Sequence, residues 1–338
     1  MSAVEEIASQ TPAVQAVPKR AMTLSAGTAF VIVLLLLVVP LFVKNFIIFQ
    51  MTMLLIYGLA VLALNILTGG SGQFSLGNSA FYAIGAYTSA ILMEQYNVNY
   101  ALTLPVAGVI CFGAGFLFGQ PALRLSGVYL ALATFALATA MPQILKLGFF
   151  EHWTGGVQGL VVTKPDAPFG LPMSQDMWLY YFTLAITIAI YVFSVNLLRS
   201  RSGRAFMAIR DNEIAASAMG IDVATYKTLA FGVSAGITGV AGGLGAIAVQ
   251  FVAPDSYTIT LAISLFLGMV VGGVGWLPGS FVGSAFIIFV PNIAEGISKG
   301  LSGAVFGVLL FLVIFLVPHG SRQVAMVAQQ LLGKLRKN

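Results

Sequence analysis

Apolar stretches of about twenty residues, nearly free of charge, recur along this chain, and they dictate its solvent. The hydrocarbon core of a bilayer is roughly 30 Å thick, the length of a helix of about 20 residues. Such stretches run at about 24–43, 48–68, 101–119, 125–147, 177–197, 228–249, 259–275 and 302–317. Two more, shorter or interrupted by glycine, run at about 78–93 and 279–296. Residues of the AVILMFWYC set make up 59% of the chain and charged residues only 8%, against roughly 25% charged in a soluble domain. A water-soluble fold of 338 residues could not cover its surface with so few charges. The expectation is an all-α polytopic membrane protein with about ten transmembrane helices.

Charge placement orients those helices. With an even number of crossings both termini share a side, and of the 16 Lys and Arg only Lys44, Lys146, Lys164 and Lys299 fall on the other. Basic residues concentrate in cytoplasmic loops, so both termini are expected in the cytoplasm. The net charge of +5 therefore encodes topology and does not indicate nucleic-acid binding. The run at 24–43 follows Lys19 and Arg20 but is long enough to span and lacks a small-residue cleavage site, which makes it an anchor. The partition is a cytoplasmic tail at 1–21, one transmembrane domain at 22–318 and a basic cytoplasmic tail at 319–338.

Several kinds of chemistry are excluded. No G-x-x-x-x-G-K-[ST] phosphate loop is present, so ATP is not bound in that manner. No carboxylate pair and no Ser/His/Asp set falls within a span, which leaves no catalytic residues to nominate. Buried acids or histidines that could relay protons are missing from the spans, which argues against proton coupling; sodium coupling through broken helices stays open. Cys111 is the single cysteine, and His152 and His319 fall in loops on opposite sides, so neither a disulfide, a metal site nor a cofactor is expected.

Two stretches look functional. The cytoplasmic segment 199–227 contains GRAFMAIRDNEIAASAMGID, Gly203–Asp222. Asp211 is expected to cap a short helix at about 212–219, Ala215, Ala216 and Ala218 favour it, and Gly220 ends it in the left-handed conformation. Asp222 then caps the next span. The result is a compact element lying across the cytoplasmic face, suited to receive a partner; the plain alternative is a basic loop that only fixes orientation. The second stretch, LTGGSGQFSLGNSAFYAIGAYTSAIL at Leu67–Leu92, breaks an apolar run with glycines and with Gln73, Ser75, Asn78 and Ser79. A broken helix is tolerated where protein or a water-filled path covers its backbone. Gln73, Ser75 and Asn78 are read as lining that path, and Gly77 to Gly85 as close helix packing. The glycine-rich Gly268–Ser284 is also read as a packing surface, with Pro278 opening a helix.

These residues resemble the permeases of branched-chain amino-acid ABC importers, most closely the LivM type. The likeness rests on GQFSLGNSAFYAIGAY (Gly72–Tyr87), TGGVQGL (Thr154–Leu160), GRAFMAIRDNEIAASAMGID (Gly203–Asp222) and GGVGWLPGSFVG (Gly272–Gly283), and extends over about 48–318. The last stretch departs from the family at Trp276–Leu277–Pro278, where smaller or more polar residues are expected. The resemblance implies a type II ABC importer permease fold. It makes Gly203–Asp222 the loop that docks on the ATPase, with Arg204, Arg210, Asp211, Glu213, Ala215, Ala216 and Gly220 in it. It implies as partners a LivH-like second permease, two cytoplasmic ATPase subunits and an extracytoplasmic solute-binding protein, all at a bacterial inner membrane. Other cargo on the same machinery (urea, short amides, other amino acids), a stand-alone secondary transporter and a membrane-embedded enzyme are the competing readings.

Overall fold

The computed structural model describes residues 33–122, 127–167, 173–297 and 307. Among these the chain is helical almost throughout. Eleven helices follow in order: α1 Asn45–Asn65, α2 Asn78–Glu94, α3 Tyr100–Ala122, α4 Val128–Leu145, α5 Gly148–Thr154, α6 Gln175–Arg199, α7 Arg201–Asp211, α8 Glu213–Ala218, α9 Val223–Val249, α10 Ile259–Gly272 and α11 Gly279–Ile297. Helices thus occupy eight of the ten expected stretches, and a further helical stretch at 33–38 runs into a 3-10 turn at Val39–Leu41. Most of 24–33, nearly all of 302–317, both tails and His319 lie outside the described residues. Six helical segments among the described residues are long and apolar enough to cross a membrane.

α9 is the centre of the bundle. Its most apolar window is 89% buried, and it packs on α3, α2 and α1. Such burial needs small side chains, because lipid gives no hydrophobic reason for helices to meet and close packing must do it. Gly85 of α2 lies directly on Gly239 of α9: a β-carbon at position 85 would sit 2.5 Å from the Gly239 Cα. Gly242 meets the Tyr82 carbonyl in the same way, and Gly115 of α3 meets Ala235. α10 and α11 pair through Gly268 with Gly283 and Gly272 with Gly279. Around this core α3 and α4 turn large apolar side chains outward, among them Leu102, Val109, Leu117, Val128, Tyr129 and Leu132. An apolar periphery of that extent suits lipid.

The loops gather at two ends. At one, Lys146 pairs with Asp255 at 2.6 Å, Gln95 donates to the His152 carbonyl, and Glu94 accepts from Thr163. A two-residue antiparallel bridge joins β1 Leu160–Val161 to β2 Phe251–Val252, with Leu160 opposite Val252. Gly159 makes it fit, since its φ of +74° favours glycine and a β-carbon would strike the Val252 carbonyl. At the other end Arg199, Arg201, Arg204, Arg210 and Lys227 cluster around α7 and α8.

Candidate functional site

The basic end is built on an interruption. α1 runs into a π-helical turn, Ile66–Gly70, and π-turns put strain into a helix that often marks a working part. The chain leaves it through Gly72, at φ +75°, and runs without helix to Asn78, where α2 begins. Asn65, 1% exposed, anchors the turn. Its Nδ2 donates to the Gly273 and Trp276 carbonyls at 3.3 and 3.1 Å and to Ser280 Oγ at 3.3 Å, and its Oδ1 accepts from the Gly275 amide at 2.7 Å. One buried amide side chain thus satisfies the connection between α10 and α11. Trp276–Leu277–Pro278 fits here for a local reason: Leu277 is buried, and the Trp276 ring covers Gly279, where a β-carbon would lie 2.6 Å from Cε3.

Against this interruption lies the pair α7 and α8. Ser200 caps α7 through the Gly203 amide, and Phe206, fully buried, meets Tyr226 edge-on. Ala205 and Ile209 complete the buried face. The sequence expectation that Asp211 caps α8 is corrected. α7 continues through Asp211, and the extended residue that a cap requires is Asn212, at φ −159° and ψ 110°, whose Oδ1 accepts from the Ala215 amide at 3.0 Å. Asp211 instead accepts from the Arg210 guanidinium at 2.9 Å. Gly220 stands at φ +81°, and the Ile221 amide reaches back to the Ala216 carbonyl at 3.1 Å, the Schellman closure. Asp222 caps α9 through the Thr225 amide and hydroxyl. Those bonds hold its carboxyl below the usual 3.8, the Thr225 hydroxyl contributing most.

The outer surface of α8 is not a row of small residues. Ala216 faces inward and is buried, whereas Ala215 and Ala218 are exposed. The dominant outward groups are Ile214 and Met219, 84% and 82% exposed, so the helix shows two large apolar side chains beyond the end of the bundle. Neither was singled out from sequence. Glu213 is held by Lys227 at 2.7 Å, and Arg204 donates to the Arg199 carbonyl.

One bond links this element to the interruption. Arg210 Nη1 donates to the Gly69 carbonyl at 2.7 Å, inside the π-turn, and the Arg210 stem packs on Gly72, where a β-carbon would lie 2.9 Å from Cγ. Gln73 adds a second link, its Nε2 donating to the Lys227 carbonyl at 3.1 Å and to Ser71 Oγ at 2.9 Å. A small polar cleft opens between them, lined among others by Gln73, Phe74, Gly127, Arg210, Glu213 and Lys227. Ser75 accepts from the Gly77 amide, and Asn78 donates to Thr238 Oγ1 of α9 at 3.3 Å. Of the three residues named from sequence, Gln73 and Asn78 therefore bond to α9, and Ser75 bonds within the interruption. Among the described residues no group of three or more His, Cys, Asp or Glu is arranged to hold a metal.

Residues 46–317 match the family described as "Branched-chain amino acid transport system / permease component". The chain belongs to this permease family. It is 36% identical over 247 residues to the high-affinity branched-chain amino acid transport system permease protein LivM of Salmonella typhimurium, covering 66% of this chain and 58% of the relative. The LivM of Escherichia coli strain K12 is 35% identical over 271 residues, 73% of this chain and 63% of the relative. The chain thus spans less than two thirds of the length of these two permeases. The autoinducer 2 import system permease protein LsrC of Escherichia coli O157:H7 is 28% identical over 262 residues, 75% of this chain and 72% of the relative. No solved structure matches this chain.

Proposed function

We propose that the chain is one permease subunit of an ATP-driven importer for branched-chain, hydrophobic amino acids. It crosses a bacterial inner membrane about ten times in the type II importer manner, with the basic end and both termini in the cytoplasm. A LivH-like second permease completes the path, two cytoplasmic ATPase subunits supply the work, and an extracytoplasmic binding protein delivers the solute. The chain itself carries out no hydrolysis.

The observation that carries this reading is the α7–α8 element. It is capped at both helix starts, stopped at Gly220, and tied through Arg210 to the π-turn of α1. Its free side offers Ile214 and Met219. Apolar anchors on a rigid support are what a tight protein contact needs. Arg204, Asp211, Glu213 and Ala215 surround that contact on the ATPase side, while Ala216 supports it from behind. A movement of the ATPases enters at α8 and reaches the interruption through Arg210. Gln73, Ser75 and Asn78 then border the route by which solute leaves.

The cargo assignment rests on the two LivM relatives. Co-expression with the neighbouring transport subunits and reconstitution in proteoliposomes tests it. Leucine uptake that needs both ATP and the binding protein supports the reading. Uptake driven by an ion gradient with this chain alone contradicts it, and stimulation only by a binding protein loaded with another solute replaces the cargo.

A further inference from the structure

Hydroxyls buried among apolar helices normally donate to the carbonyl one turn back. Thr52, Thr88, Thr228 and Thr238 do so here, at 2.7–2.9 Å. Six buried polar atoms among the described residues have no such partner, and three of them, on Ser79, Tyr87 and Ser89, belong to α2. The others, on Thr183, Thr187 and Tyr191, lie along α6. An unpaired buried hydroxyl costs stability and calls for a reason.

On α2 the reason lies in what surrounds Tyr87. Four tyrosines form a continuous file. Tyr57 of α1 stacks on Tyr82 of α2 with ring centroids 6.3 Å apart. Tyr82 lies 5.8 Å from Tyr257, and Tyr257 meets Tyr87 edge-on at 6.2 Å. Tyr82, Tyr87 and Tyr257 are 4, 3 and 5% exposed, and Tyr57 is the partly exposed member. α9 leaves space for the file, because a β-carbon at Gly245 would collide with the Tyr82 hydroxyl. Tyr257 sits on a 3-10 turn, Pro254–Tyr257, that also carries Asp255 and so is held to α4 by the Lys146 ion pair. The file therefore runs from the middle of α1 toward the end of the molecule opposite the α7–α8 element.

We propose that Tyr57, Tyr82, Tyr257 and Tyr87 form a contact site for the transported solute within this subunit. The proposal rests on the importer reading above. The matching chemistry is a small zwitterion with an apolar side chain. Ring faces cover the apolar part, and the Tyr87 hydroxyl, left without an intramolecular partner, donates to the carboxylate. In this conformation the rings close on one another. The site opens when the 254–257 turn moves relative to α2.

Deleting the unpaired Tyr87 hydroxyl separates function from structure, since a purely structural Tyr87 keeps its transport rate on becoming Phe. Tyr87→Phe and Tyr82→Phe are compared with wild type in the full complex with binding protein and ATPases. The melting temperature is expected to stay the same or rise, while leucine uptake falls about tenfold and ATP hydrolysed per leucine rises. Ser89→Ala, which removes an unpaired hydroxyl outside the file, is expected to leave uptake unchanged. Wild-type uptake in both Phe variants overturns the site, as does an equal loss in Ser89→Ala. A diazirine analogue of leucine, photolysed during turnover in the wild-type complex, is expected to label at least one of the four tyrosines; labelling confined to other residues also overturns it. Absence of ATP-dependent uptake in the wild-type complex is the separate outcome that removes the importer reading itself.

Discussion

Arg210→Met keeps the length and the packing of the side chain on Gly72 and removes the donor to Gly69. A hydrogen bond from a charged group to a carbonyl contributes about 1.5–3 kcal/mol. Because 32% of the Arg210 side chain meets solvent, the lower half of that range applies, about 1.5–2 kcal/mol. The Asp211 contact adds little to the linkage, because Asp211 is the adjacent residue and 69% exposed, and an exposed pair is worth at most about 1 kcal/mol. The population with α7 tied to the π-turn then falls roughly 10- to 30-fold relative to the untied one. The assay is uptake and hydrolysis measured together in proteoliposomes containing the whole importer. Uptake is expected to fall about tenfold with ATPase subunits still bound and hydrolysing, and Arg210→Lys to recover part of it through its single charged donor. Unchanged ATP consumption per solute in Arg210→Met would refute the idea that this bond transmits the stroke.

Other expectations follow from the same geometry. Gly220→Val meets open space but must hold φ +81°, a strain of about 1–2 kcal/mol or more; ATPase association measured by co-purification falls, and Gly220→Asn retains more of it because Asn tolerates that conformation. Gly85→Val forces α2 from α9, where overpacking costs about 1–3 kcal/mol and more against backbone, and is read as a lower melting temperature in detergent. Asp222, with its carboxyl below the usual 3.8, stabilises the start of α9 above that pH and loses this contribution as pH falls through its folded value; Thr225→Val moves the carboxyl titration, followed by carbon-13 NMR, back up. Cysteines introduced at Lys164 and Arg201 are expected to react with impermeant reagents from opposite sides of the membrane.

Helix positions were legible because apolar length alone reports them. That Gly77 to Gly85 and Gly268–Ser284 serve close packing was legible, because small residues stand where packing replaces the hydrophobic effect; their partners, such as Gly239 against Gly85, were not. The cap of α8 was misassigned because Asp211 and Asn212 both favour capping and local propensity could not say where α7 would end. Which alanine of α8 turns inward was not legible, because a six-residue helix of small residues has no apolar stripe to fix its rotation. Asn65 carried a readable signal, a lone amide in an apolar span, yet its four partners lie more than 200 positions away. The Arg210 bond and the tyrosine file depend on tertiary contact and had no signature in the order of residues.

Proximity of α8 to an ATPase subunit most directly tests the proposed entry of work through this helix. Cys111 is the single cysteine and is fully buried, so a Cys111→Ala background gives a clean reporter once its transport is shown to be intact. Cysteine is introduced at Ile214, 84% exposed, and at Tyr96, 64% exposed at the opposite end, and the assembled importer is treated with a short bifunctional crosslinker. The position-214 variant is expected to crosslink to an ATPase subunit, with a yield that changes on adding ATP, and the position-96 variant is not. An actively transporting complex in which position 214 never reaches an ATPase would contradict the account.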